Sequence, residues 1–149
     1  MGNLQAILDQ ARASTDIQTW AYGDWPPGIA ARLGAPEVLE IIERLDALDR
    51  ERSEVPGWDG DAGDDIWRMQ RNFSRLLAAV AHRHPAEVSV GLGSLRPATR
   101  LWTALAIEAA PAAELVGPLE TALAAETDEN TARALAGALE ACGKARKGG

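Results

Sequence analysis

Cysteine, tyrosine and phenylalanine occur once each in this 149-residue chain, and histidine twice. The lone Cys142 cannot make an internal disulfide, so nothing points to an oxidising compartment. Its spacing from Leu135 and Leu139 predicts a thiol buried on the inner face of a helix. His82 and His84 stand two apart, which on a helix sends them to different faces, so they cannot act as a paired zinc ligand. There is no cysteine cluster and no glycine-rich phosphate loop, and Ser14, Ser53, Ser74, Ser89 and Ser94 lack a nucleophile-elbow context. No catalytic residue, metal or cofactor is therefore expected. No run reaches the about 18 apolar residues of a membrane helix. The first residues, Met1-Gly2-Asn3-Leu4-Gln5-Ala6, lack the basic-then-apolar layout of a signal peptide, and Ala6 stands where a myristoylation site wants Ser or Thr. A cytoplasmic location is the expectation.

Hydrophobic residues make up 46% of the chain and charged ones 25%, within the globular norm, and the length suits one domain, 1–149. The formal net charge of -7 argues against nucleic acid, whose affinity rests on phosphate neutralisation, and suits a basic protein partner. Thirteen arginines against two lysines, with abundant alanine, read as the codon bias of a GC-rich bacterial genome.

The dominant period is helical. Leu4, Ile7, Leu8 and Ala11 form one apolar stripe after Asn3, and Val38, Ile41, Ile42, Leu45 and Leu48 form a second, opened by Pro36. Ile66, Met69, Phe73, Leu76, Leu77 and Val80 form a third, with Asp64 or Asp65 as its N-cap. Leu101, Trp102, Leu105 and Ala109 form a fourth behind Pro97; Leu115, Leu119, Ala122 and Leu123 a fifth; Leu135, Leu139 and Cys142 a sixth. Residues 85–95 read as a short helix, as do residues 26–34. Strand alternation is confined to Glu87-Val88-Ser89-Val90. Short turns between these stripes predict an all-α fold of antiparallel helix pairs. Residues 1–35 serve as an N-terminal cap, 36–143 as helix-pair repeats and 144–149 as a flexible tail.

Thr99-Arg100-Leu101-Trp102 and Ala132-Arg133-Ala134-Leu135 superpose at an offset of 33 residues, within the period range of helical solenoids. The stretch from Asp128 through Arg133 and Ala138-Leu139 to Gly143 resembles the second helix of a HEAT-like repeat, with its Asp-containing turn, early Arg and closing Gly. The resemblance is best over 97–143. It implies a short HEAT-like α-solenoid, a scaffold class that carries no particular activity. DNA glycosylases with HEAT-like folds exist, and Arg68, Arg71 and Arg75 share one helix face, but the net charge counts against a nucleic-acid role.

Counting turns in an up-and-down stack puts the connections at 17–25, 54–64, 95–97 and 126–129 on one end and those near 34–36, 84–86 and 110–112 on the other. The first end collects Trp20, Tyr22, Asp24, Trp25, Trp58, Asp59 and Asp61, which are the candidate partner-binding residues. The aromatics could equally cap the open end of the core. A calcium loop starting at Asp59 fails, because Asp64 falls where Gly is needed and Gln70 where the bidentate Glu belongs. The expectation is a non-enzymatic protein-binding module, in concrete form an acidic immunity- or antitoxin-type inhibitor of a cationic partner. The alternative is a small enzyme or ligand-binding protein of a biosynthetic cluster, with a pocket lined by Trp and Asp.

Overall fold

In this computed structural model, residues 3–13, 29–54 and 60–148 are described, with side chains for 3–8, 29–54 and 66–147. Among them are seven α-helices and no strand: α1 (Leu4–Ala13), α2 (Ala35–Glu54), α3 (Gly60–Val80), α4 (Pro85–Ser89), α5 (Pro97–Ala109), α6 (Val116–Ala125) and α7 (Glu129–Gly148). Short 3-10 turns at Ala30–Arg32, Val90–Gly93 and Ala113–Leu115 lead into or out of them.

Local chemistry starts several helices where expected. Pro97 and Pro85 occupy the first turns of α5 and α4, where a missing N–H costs nothing. Glu37, in the first turn of α2, accepts the Gly34 N–H at 3.0 Å, half of a capping box. Its other oxygen accepts the Asn3 N–H at 3.1 Å, which ties the start of α1 to the start of α2. Asp128 caps α7, accepting both the N–H (2.9 Å) and the hydroxyl (2.7 Å) of Thr131.

Three boundaries differ from the sequence reading. The third helix begins at Gly60 rather than Ile66, so Asp64 and Asp65 lie inside its opening turns instead of capping it. Alanine, aspartate and glycine there carry no strong stop, and acidic residues suit a helix N-terminus. The last helix runs through Gly143 to Gly148, so the segment expected as a tail is helical that far. Residues 85–93 form α4 and a 3-10 turn rather than one helix, with Gly91 and Gly93 in the tighter part.

The packing follows alternate helices. α5 lies against α3 on one side and α7 on the other, while α2, α4 with its following turn, and α6 form a second row. α2 also packs on α3, the Val90–Gly93 turn on α5, and α6 on α7, so the rows meet pair by pair. One apolar core runs through them from Leu4 to Cys142. The stripes of α2 and α3 are buried nearly as read, with Phe73, Leu76, Leu77 and Ile41 among the largest enclosed side chains.

The α5 stripe is rotated from its expected phase. Leu105 and Ala109 are exposed and Leu101 half-buried, whereas Thr99, Trp102, Thr103, Ala106 and Ile107 face inward. Threonine can face inward here because each hydroxyl is bonded: Thr103 donates to the Thr99 carbonyl at 2.7 Å and Thr99 donates to Asp46 at 2.5 Å. Gly91 packs directly on this face. A Cβ at Gly91 would overlap the Thr103 hydroxyl and lie 2.9 Å from its Cγ2. Gln70 departs furthest from this pattern, fully buried with neither amide atom hydrogen-bonded.

Two stability changes follow, both measurable by urea unfolding. Gly91→Ala should lose about 1–3 kcal/mol through overpacking, and Thr103→Ala in the same chain should recover part of it. Gln70→Met, close to equal in volume, should gain about 1–2 kcal/mol by removing two unbonded polar atoms from the core.

Candidate functional site

A connected set of polar side chains lies where α2 finishes and α5 and α7 begin. Asp46 and Asp49, one turn apart along α2, face the turn that opens α5. Asp46 Oδ1 accepts the Ser94 hydroxyl at 2.7 Å as well as that of Thr99, and Asp49 accepts Arg96 Nη1 at 3.0 Å. Arg100, one turn into α5, reaches the next connection. Its Nε and Nη2 donate to the two oxygens of Glu126 at 2.7 and 2.9 Å, and Nη1 donates to the Ser94 carbonyl at 2.7 Å. Glu126 also accepts the backbone N–H of Thr127 and Asp128, at 3.2 and 3.1 Å. Thr131 contacts the Pro97 carbonyl at 3.4 Å, which sets the starts of α5 and α7 side by side. The result is a ladder of polar contacts from α2 through α5 to α7.

The Arg100–Glu126 pair is the tightest rung. The Glu126 side chain is 1% exposed and that of Arg100 18%. The Arg100 hydrogen bonds hold the Glu126 carboxyl below the usual carboxylate range against the opposing effect of burial, and Glu126 raises Arg100 in return. Asp128 is also lowered, first by its hydrogen bonds from Thr131 and more weakly by Arg100 nearby.

Two clefts flank the turn at 94–97. The larger, about 640 Å³, is lined by the apolar Leu92, Pro118, Ala122 and Ala125 and by Ser94, Thr121 and the Arg100–Glu126 pair. The smaller, about 540 Å³, lies between Asp46, Asp49 and Arg50 of α2 and the Ser94–Pro97 segment. Leu95, which borders the smaller cleft, is 98% exposed.

Charge is unevenly divided along the molecule. Asp46, Asp49, Glu51 and Glu54 end α2; Asp61, Asp64 and Asp65 lie in the opening turns of α3, five residues after α2 ends; and Glu126, Asp128 and Glu129 lead into α7. Arg50, Arg52, Arg96, Arg100 and Arg133 are cations there, Arg133 pairing with Glu129 at 3.4 Å. At the opposite end acids and bases are near balance. Arg32 and Arg83 lie there, Arg83 donating to the Ala30 carbonyl, and α7 brings Lys144, Arg146 and Lys147.

Of the residues expected to bind a partner, Trp20, Tyr22, Asp24, Trp25, Trp58 and Asp59 lie outside the described residues. Asp61 is placed in the first turn of α3, but its side chain lies outside them as well. On α3, Arg71 sits over the Trp67 ring, 5.2 Å from its centroid, and Trp67 meets Trp102 edge-on at 6.0 Å. Arg68 is half-buried, Arg75 is exposed, and both have interaction partners. Cys142 is buried in the core, and burial pushes its thiol up, away from reactivity. Among the described residues no group of His, Cys, Asp and Glu is arranged to hold a metal ion, and no helix is long and apolar enough to cross a membrane.

The polar ladder was missed in the sequence. Its one signal was the 33-residue echo that aligns Arg100 with Arg133. No protein-family model, curated protein or solved structure matches the chain.

Both lowered carboxyls work in one direction. Their contribution is complete above the ordinary carboxylate range near about 4 and is lost as pH falls through their lower folded values. Urea midpoints should therefore drop below about pH 4, and Glu126→Gln should flatten that drop. Arg100→Ala, which strands a buried carboxylate, should cost about 2–3 kcal/mol at pH 7.

Proposed function

We propose that the chain is a non-enzymatic protein-binding module whose acidic end holds a basic protein partner. The observation that carries this reading is the division of charge. The α2–α3 junction and the turn into α7 bring more carboxylates together than the nearby arginines can neutralise, while the far end is close to balance. A field of that shape speeds encounter with a cationic surface and disfavours nucleic acid.

The scaffold we propose is a short HEAT-like stack of antiparallel helix pairs, α2 with α3, α4 and its turn with α5, and α6 with α7. Alternate-helix contacts, a five-residue link between the packed helices α2 and α3, and a polar ladder running across successive pairs all support it. In this arrangement Trp20, Trp25 and Trp58 act as apolar anchors with Tyr22 beside them, and Asp24, Asp59 and Asp61 pair with Lys or Arg across the interface. The concrete form is an immunity- or antitoxin-type inhibitor of a cationic toxin in a bacterium.

The larger cleft favours a second reading, a small-ligand site, since its volume and apolar lining suit one. Acid–base catalysis there lacks a free group. Its single carboxylate, Glu126, already accepts four hydrogen bonds.

The test is a crosslinking pull-down from the native host followed by affinity measurement with the recovered partner. A basic partner is expected, and Asp59→Ala with Asp61→Ala should weaken it by about 10-fold at low salt and flatten the salt dependence. An acidic partner, or unchanged affinity and salt slope, would remove the acidic end from the mechanism.

A further inference from the structure

The larger cleft, about 640 Å³, falls within the range of cavities that take a small molecule, about 300–1,000 Å³. What it can hold depends on the hydrogen-bonding capacity left to its lining side chains. The three lining hydroxyls have committed their protons: Ser89 donates to the Ala86 carbonyl at 2.6 Å, Ser94 to Asp46 at 2.7 Å and Thr121 to the Gly117 carbonyl at 3.2 Å. Glu126 accepts four bonds, two from Arg100 and two from backbone N–H groups, and is 1% exposed, so it has little left to offer a ligand. Arg100 differs. Of the five N–H bonds of its guanidinium, three go to Glu126 and the Ser94 carbonyl. The other two are the side-chain donors that the lining has unspent.

We infer that the larger cleft binds an uncharged, mainly apolar small molecule through one carbonyl oxygen, which accepts from Arg100. The apolar body of the ligand packs on Leu92, Pro118, Ala122 and Ala125. Each other kind of ligand lacks a counterpart there. A cation finds Glu126, the one lining carboxylate, already enclosed and bonded. A carboxylate at Arg100 stands beside Glu126 and near Asp128, at the end of the molecule where acids outnumber bases, so repulsion offsets what the guanidinium contributes. A pure hydrocarbon displaces water from the two N–H bonds and gives them no acceptor in return. A neutral carbonyl satisfies them and adds no charge. The inference rests on the ligand-site reading of this cleft and is independent of the basic partner.

The probe is prodan, an uncharged naphthalene ketone whose emission responds to its surroundings. Titrated with the full chain, it should bind saturably with a dissociation constant on the order of 100 μM. Competition then compares three molecules built on one ring system. The ketone 2-acetylnaphthalene should displace the probe about 10-fold more strongly than 2-ethylnaphthalene, which lacks the acceptor, or 2-naphthoate, which carries a charge. Ala125→Trp, at an exposed lining position, should weaken the probe by at least about 10-fold. Circular dichroism and the thermal midpoint check that this variant folds. Absence of saturable binding, or binding that Ala125→Trp leaves unchanged, would remove the ligand site and the inference with it. Saturable binding in which the hydrocarbon or the naphthoate competes as well as the ketone would keep the site and overturn the carbonyl assignment.

Discussion

The enclosed ion pair between Arg100 and Glu126 governs how the later helices meet. A carboxylate at 1% exposure is tolerable because two guanidinium donors and two backbone N–H groups point at it. By filling those roles Glu126 shapes the connection in which Asp128 caps α7, and by its third bond Arg100 holds the Ser94 carbonyl at the opening of α5. One side chain therefore sets the spacing of two helix starts. Remove its charge and the turn at 94–97, the mouth of the larger cleft and the capped end of α7 lose a common support.

This internal pairing changes how the acidity of the chain is read. Asp46, Asp49, Glu126 and Asp128 are engaged with the protein's own hydroxyls, arginines and N–H groups, so they organise the end of the stack. The outward field there falls to carboxylates beyond the ladder, such as the exposed Glu51 and Glu54 on α2. Structural and surface acids thus sit side by side, and a count of charges cannot separate them.

Helix class and most inward faces were legible in the sequence because they are local properties. Val38, Ile41, Ile42, Leu45 and Leu48 repeat with the helical period and are buried together, and Pro97 and Asp128 mark helix starts by chemistry confined to one turn. The fourth stripe was misjudged because Leu outranks Thr in hydrophobicity. The comparison ignores that Thr99 finds Asp46 across the core, 53 residues away in the chain. The start of α3 was placed late because Gly60-Asp61-Ala62-Gly63 reads as a turn when considered without the helix that follows.

What the sequence determined alone is therefore an all-helical chain with amphipathic faces of known register, since backbone hydrogen bonding and side-chain period act over three or four residues. The tertiary structure decided which carboxylates Arg96 and Arg100 meet, why Gly91 must lack a side chain against Thr103, and that Leu95 stands in water. Those outcomes join residues 12 to 47 positions apart, and their distances exist only after the helices have packed.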